Sequence, residues 1–228
     1  MSIKNILVAF NASNGARSAL DLAKLMAKKY DAHLTGVLTH GLPAVLYSYG
    51  SHLPQLAMDQ LEDADREHRA KVRNDFLTAT TDCKTDTVHF MDVFGEADEK
   101  LMEVARTFDI VIMGTPEKDY EFPHMAVHPD VVARNSGRPV IVVPAGYRTE
   151  SLGDVAVIAW DGRRAAARAV ADAMNVLENK SNVTVLSVSK PDQTDLSSID
   201  DLLARHGINF TNEVQPQGAE TIASRILG

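Results

Sequence analysis

Two places in the chain set small polar residues where an apolar run stops. After ILVAF stand Asn11, Ala12 and Ser13, and after AVIAW stand Asp161, Gly162 and Arg163. A polar side chain beside free backbone N–H groups, ahead of a helix, can receive an anion such as a phosphate. A third place is Gly114, which closes DIVIMG and opens TPEKDYEFPHMAVH. A glycine there lets backbone N–H groups approach an anion. Yet Glu117, Asp119 and Glu121 follow it, and like charges repel.

Other candidates are weaker. His124 and His128 are four residues apart, with Asp119 and Asp130 near in sequence, but Pro123 and Pro129 interrupt any helix that would align the imidazoles. No third ligand is defined, so no metal is expected and the segment reads as a polar surface loop. Ser13 and Ser136 lack a nucleophile motif and a predicted base, so no hydrolase triad is supported. Cys83 is the single cysteine; no intrachain disulfide or thiolate zinc cluster can form. Asp161 is either a ligand-facing acid or an ordinary Asp-Gly turn residue. Arg163 and Arg164 either meet an anion or form a solvated basic pair. Tyr47, Tyr49 and His52 lie in a long loop over 40–54 that either lids a pocket or packs on the other unit of the chain.

The elements that would position these residues follow from hydrophobic period. Continuous apolar runs over 3–10, 33–39, 109–114 and 139–144, with a weaker one over 88–93, read as strands of a parallel sheet. Helical patterns occupy 16–30, 55–80, 95–107 and 129–135. The pattern then restarts. At an offset of 150 residues Ala9, Ala16, Ala19 and Ala23 meet Ala159, Ala166, Ala169 and Ala173, and Phe10 meets Trp160. Strands over 155–160, 183–189 and 209–214 alternate with helices over 165–177, 197–205 and 219–227. The expected division is a first domain over 1–146, a linker over 147–153 and a second domain over 154–228. Nothing in the second copy answers to 109–144, so it is expected to be truncated before its fourth strand.

The 228 residues carry a net charge of −8, which disfavours broad binding to nucleic acid or anionic membranes. No apolar run reaches the roughly 18 residues of a membrane span, and the opening residues run straight into a strand. A soluble, cytoplasmic protein is expected.

Two units of this kind resemble the universal stress protein family in its tandem form. The carriers are ILVAFNAS, FGEADEKLMEVARTFDIVIMG and RPVIVVP in the first unit, and VIAWDGRRAAARAV and NVTVLSVS in the second. The resemblance implies an α/β fold of two doubly wound, Rossmann-like parallel sheets, the second incomplete, related to the adenine nucleotide α-hydrolase fold. In nucleotide-binding members the acid after the first strand lies near ribose and phosphates. The residue closing the second strand meets the base, and a G-x2-G-x9-G-[ST] loop wraps the phosphates. Carried over, Asp161, Gly162 and Val188 form a nucleotide site in the second unit. Asn11, Thr39 and Gly114 form a degenerate one in the first, where Glu117 stands for a glycine and His128-Pro129 for the final Gly-Ser.

The expected function is that of a non-enzymatic stress-response binding or regulatory module. Its implied cofactor is ATP or another adenine nucleotide, with Mg. The family implies a homodimer joined at fifth-strand edges, here 140–143, with protein partners unspecified. The alternatives are a ligand-free scaffold and an enzyme of the wider superfamily.

Overall fold

The computed structural model describes residues 3–43, 45–46, 53–189 and 196–216. The chain divides into two compact units, Ser2–Leu152 and Gly153–Gly228. The suggested lid residues Tyr47, Tyr49 and His52 and the helix expected over 219–227 lie outside the described residues.

In the first unit the elements alternate: β1 (Asn5–Ala9), α1 (Asn14–Tyr30), β2 (His33–His40), α2 (Gln55–Ala79), β3 (Val88–Phe94), α3 (Ala97–Ala105), β4 (Ile110–Gly114), α4 (Pro129–Asn135) and β5 (Val140–Val143). The five strands pair in the order β3-β2-β1-β4-β5, all parallel. The central strands are closed to solvent on both faces: Ile6, Leu7 and Val8 are buried, as are Val111, Ile112 and Met113. That is why their sequence is a continuous apolar run rather than an alternation. On one face Leu101 and Ala105 of α3 and Val132 of α4 join Leu7, Ala9, Val37, Val111 and Met113 in one cluster. Away from that cluster, Phe76 of α2 meets the Phe10 ring edge-on at 5.6 Å. Its ring also fills the space a side chain at Gly36 would need.

Helix α1 starts at Asn14, two residues before the periodic stripe. Ser13 is the reason: its hydroxyl accepts from the Ala16 N–H at 3.2 Å and so caps the first turn. The stripe Ala16, Ala19, Leu20, Ala23 and Met26 is then buried. Strand order reverses between β1 and β4, and the carboxyl ends of these strands form the switch point where this fold class takes its ligands.

The second unit holds β6 (Val155–Ala159), α5 (Arg164–Leu177), β7 (Asn182–Ser189), α6 (Ser197–Arg205) and β8 (Phe210–Pro216). Its strands pair parallel in the order β6-β7-β8. Ile158, Val170, Leu177, Val183, Val185, Ile199, Leu203 and Ile208 make its core. Among the described residues no helix is long and apolar enough to cross a membrane.

The tightest joint of the first unit is between α1 and the end of β4. A Cβ on Gly114 would lie 2.0 Å from the Gly15 carbonyl carbon, and one on Gly15 would lie 2.4 Å from the Thr115 carbonyl oxygen. Backbone therefore touches backbone, and neither residue has room for a side chain. Gly114→Ala is expected to cost about 3 kcal/mol or more in urea unfolding. Gly153→Ala, where a Cβ meets nothing within 4 Å, is expected to stay within about 0.5 kcal/mol.

Candidate functional site

At the switch point of the first unit, β1 ends in a turn that uses its own polar atoms. Asn11 Oδ1 accepts from the Ser13 N–H at 3.2 Å, and Ala12 sits at φ 63. The N-terminus of α1, the positive end of the helix dipole, points toward the chain leaving β4. There Glu117 takes the place of an external anion: its Oε1 accepts from the Asn14 N–H at 2.6 Å. Gly114 serves the close contact with Gly15.

The chain that follows does not lie loose on the surface. Tyr120 donates its hydroxyl proton to the Asn11 carbonyl at 2.7 Å. That hydroxyl then accepts from His68 Nε2 at 3.1 Å. The Phe122 ring stacks on His68 with centroids 3.7 Å apart. A single 3-10 turn, Pro123–Met125, follows, and Met125 is buried. The His124 carbonyl accepts from the Gly41 N–H at 3.1 Å, just beyond the end of β2. Thr39, the base-contact candidate, is buried.

The expectation of a polar surface loop over 115–128 is therefore corrected. Tyr120, Phe122 and His124 all meet residues of α2. His124 and His128 do not converge. His124 Nε2 lies 2.6 Å from Asp65 Oδ1, whereas His128 Nδ1 lies 2.8 Å from Asp98 Oδ2. Among the described residues no group of three His, Cys, Asp or Glu side chains is placed to hold a metal. The Ser13 hydroxyl is spent on its helix cap, and Ser136 accepts from the Arg138 N–H at 3.2 Å.

Sequence reasoning missed a chain of charges behind the loop. Asp65 also meets Arg69 Nε at 3.2 Å, Arg69 Nη1 meets Asp92 Oδ2 at 2.8 Å, and Asp92 Oδ1 meets His40 Nε2 at 2.9 Å. The i, i+4 spacing of Asp65 and Arg69 was its one visible sign. His40 Nδ1 is buried and finds no partner among the described residues. Burial is the largest effect on both His40 and His68 and holds each below the ordinary value of 6.5. Burial also raises the Tyr120 hydroxyl, with Glu117 and Glu121 acting in the same direction. The phenol therefore remains a donor.

The space left among Asn11, Ser13, Gly114, Glu117 and Tyr120 is about 30 Å³, room for water but far below the roughly 300–1,000 Å³ of a small-molecule site. An adenine nucleotide does not fit this space among the described residues. A wider groove of about 990 Å³ lies along α1, among residues including Lys24, Lys28, Asp31, Asp82, Cys83 and Lys84. Most of its charges are paired with one another, Lys24 with Asp82 and Lys84 with Asp31. Burial pushes the Cys83 thiol up, away from the reactive thiolate.

In the second unit Asp161 and Gly162 follow β6, and Val188 lies near the end of neighbouring β7. Asp161 is exposed, and its Oδ1 accepts from the Arg163 N–H at 2.9 Å. Gly162 sits at φ 70, with open space around it. The three residues thus share one end of the sheet.

Residues 2–144 match the universal stress protein family. No curated protein matches the chain. Among solved structures, a universal stress protein from Archaeoglobus fulgidus DSM 4304 aligns with a TM-score of 0.64 at 15% identity, over 98% of this chain and 89% of that one. A protein of unknown function from Pseudomonas aeruginosa PAO1 gives 0.51 at 16%, over 99% and 78%. UspA from Lactobacillus plantarum gives 0.50 at 19%, over 63% and 99%. At these identities the likeness is one of fold.

The unfolded chain binds protons at His40 and His68 more readily than the folded one. Their contribution to stability is therefore whole above about pH 6.5 and lost as the pH falls through the lower folded values. The urea midpoint is expected to fall on acidification through that window, and His68→Gln to show a shallower fall. An equal slope in the variant would show that His68 is not one of the groups responsible.

Proposed function

The chain belongs to the universal stress protein family, and from that membership we propose a stress-response binding module whose two units have parted in role. The first unit is closed to nucleotide by its own loop and serves as a structural or partner-binding half. The second takes adenine nucleotide, with Asp161 toward ribose and phosphates, Gly162 leaving its backbone open to the ligand and Val188 meeting the base. The observation that carries this reading is the Glu117 carboxylate on the Asn14 N–H at 2.6 Å, with Tyr120 seated on Asn11. A phosphate at the N-terminus of α1 would have to displace a covalently attached anion. In the second unit the corresponding strand end keeps an acid and a glycine in the open.

The proposed role is binding rather than turnover. Where nucleotide is bound, Mg would balance the phosphate charge. The one observation that favours a ligand-free scaffold is the Asp161 side chain, which already closes a turn on the Arg163 N–H.

Mass spectrometry of nucleotides released from the purified chain, with titration of ATP in the presence of Mg, separates these readings. Binding of one adenine nucleotide per chain is expected. Asp161→Ala is expected to weaken it roughly tenfold, a loss of about 1.4 kcal/mol, while Asn11→Ala leaves it unchanged. No released nucleotide and no titratable binding would establish the scaffold. Binding lost on Asn11→Ala but not on Asp161→Ala would place the site in the first unit. Rapid ATP turnover would overturn the non-enzymatic reading.

A further inference from the structure

Most histidines among the described residues commit a ring nitrogen to a partner. His40 meets Asp92, His124 meets Asp65, His128 meets Asp98, His206 meets Glu178 and His68 meets the Tyr120 hydroxyl. His33 and His89 are the exceptions: neither ring has a hydrogen bond or an ion pair among the described residues. The fold sets these two side by side.

β2 and β3 run parallel, with Thr35 opposite His89. Side chains alternate along a strand, so His33 shares the face of Thr35, and His89 stands on that face too. Strands about 4.8 Å apart and a step of two residues, at about 3.3 Å each, put the two Cα atoms about 8 Å from each other. The rings close part of that distance. Their centroids are 6.0 Å apart and their planes 6° from parallel. Both residues are exposed. Asp31, two positions before His33, gives its carboxylate to Lys84 at 2.8 Å and leaves the imidazoles alone. The pair stands near the starts of its strands, at the opposite end of the sheet from the switch point.

We propose that His33 and His89 form a binding site for a divalent transition metal of the zinc, nickel or copper class, one ion per chain on two imidazoles. Imidazole nitrogen suits these ions, whereas Mg and Ca take oxygen. A nitrogen binds such an ion at about 2.0–2.1 Å, which sets each ring centre about 3.2 Å from it. Two rings on one ion then lie between about 4.5 Å apart, at a right angle, and about 6.4 Å, when opposed. The observed 6.0 Å falls within that range, and exposed rings are free to turn their nitrogens toward a shared point. Water fills the remaining positions, so the site is open and exchangeable, unlike a closed structural zinc site. Copper binds more tightly than nickel or zinc, in the general order of these ions.

Equilibrium dialysis of the full chain against Zn, without an affinity tag or nucleotide, tests this. One Zn per chain is expected, undiminished by excess Mg. His33→Ala and His89→Ala are each expected to raise the dissociation constant at least roughly tenfold. Cys83→Ser, His128→Ala and His206→Ala are expected to leave it unchanged. Zn is expected to raise the urea midpoint of the wild-type chain and of neither His33→Ala nor His89→Ala, whose metal-free midpoints match the wild type. No binding, binding that survives both substitutions, or loss in one of the two variants alone would overturn the shared site. A lower metal-free midpoint in both variants, with no effect of Zn on the wild type, would make the ring pair structural and overturn it as well. If a variant fails to fold, the wild-type chain decides. Cu added below one equivalent is expected to broaden the imidazole proton signals of His33 and His89 together, ahead of those of His128 and His206. Broadening of one of the pair without the other, or of neither, would overturn the proposal.

Discussion

The structure of the first unit depends on one contact without side chains. Gly15 at the start of α1 and Gly114 at the end of β4 bring two backbones together. That contact aligns the positive end of α1 with the residues that follow β4. Whatever stands a few positions after Gly114 must therefore interact with the helix N-terminus. Here the residue is Glu117, and its carboxylate takes the Asn14 N–H. A geometry suited to presenting backbone donors to a phosphate presents them instead to the chain itself.

The rest of the loop follows from the same anchoring. Once Glu117 is fixed, Tyr120 reaches the carbonyl at the end of β1, Phe122 stacks on His68 and His124 reaches Asp65. Each contact uses a residue of α2 or the end of β1. The acids of the loop, which look like a solvated run in sequence, are interleaved with rings that bury themselves. The charge chain through Arg69 and Asp92 to His40 then ties α2, β2 and β3 together behind it. Two carboxylates there share one guanidinium and two imidazoles.

The second unit has a different end to its first strand. Its three strands and two helices keep a core of their own. Among the described residues Asp161 and Gly162 lie in the open at the end of β6. In the first unit the chain after β4 lies over the corresponding end of β1.

Strand and helix identity, the parallel sheets and the internal repeat were legible in the residues, because burial on both faces writes continuous apolar runs and the Ala-rich helices repeat at a fixed offset. The misfit of the acidic stretch after Gly114 with a phosphate loop was legible too, as a matter of charge. What no pattern of residues contained was where those acids and rings go. Glu117 meets Asn14 from 103 positions away and Tyr120 meets Asn11 from 109. His124 and His128, neighbours by spacing, end on different partners. These outcomes were decided by the strand order, which sets the end of β4 beside the start of α1. Local sequence fixes period and charge, but pairing across the switch point depends on the packing of the whole sheet.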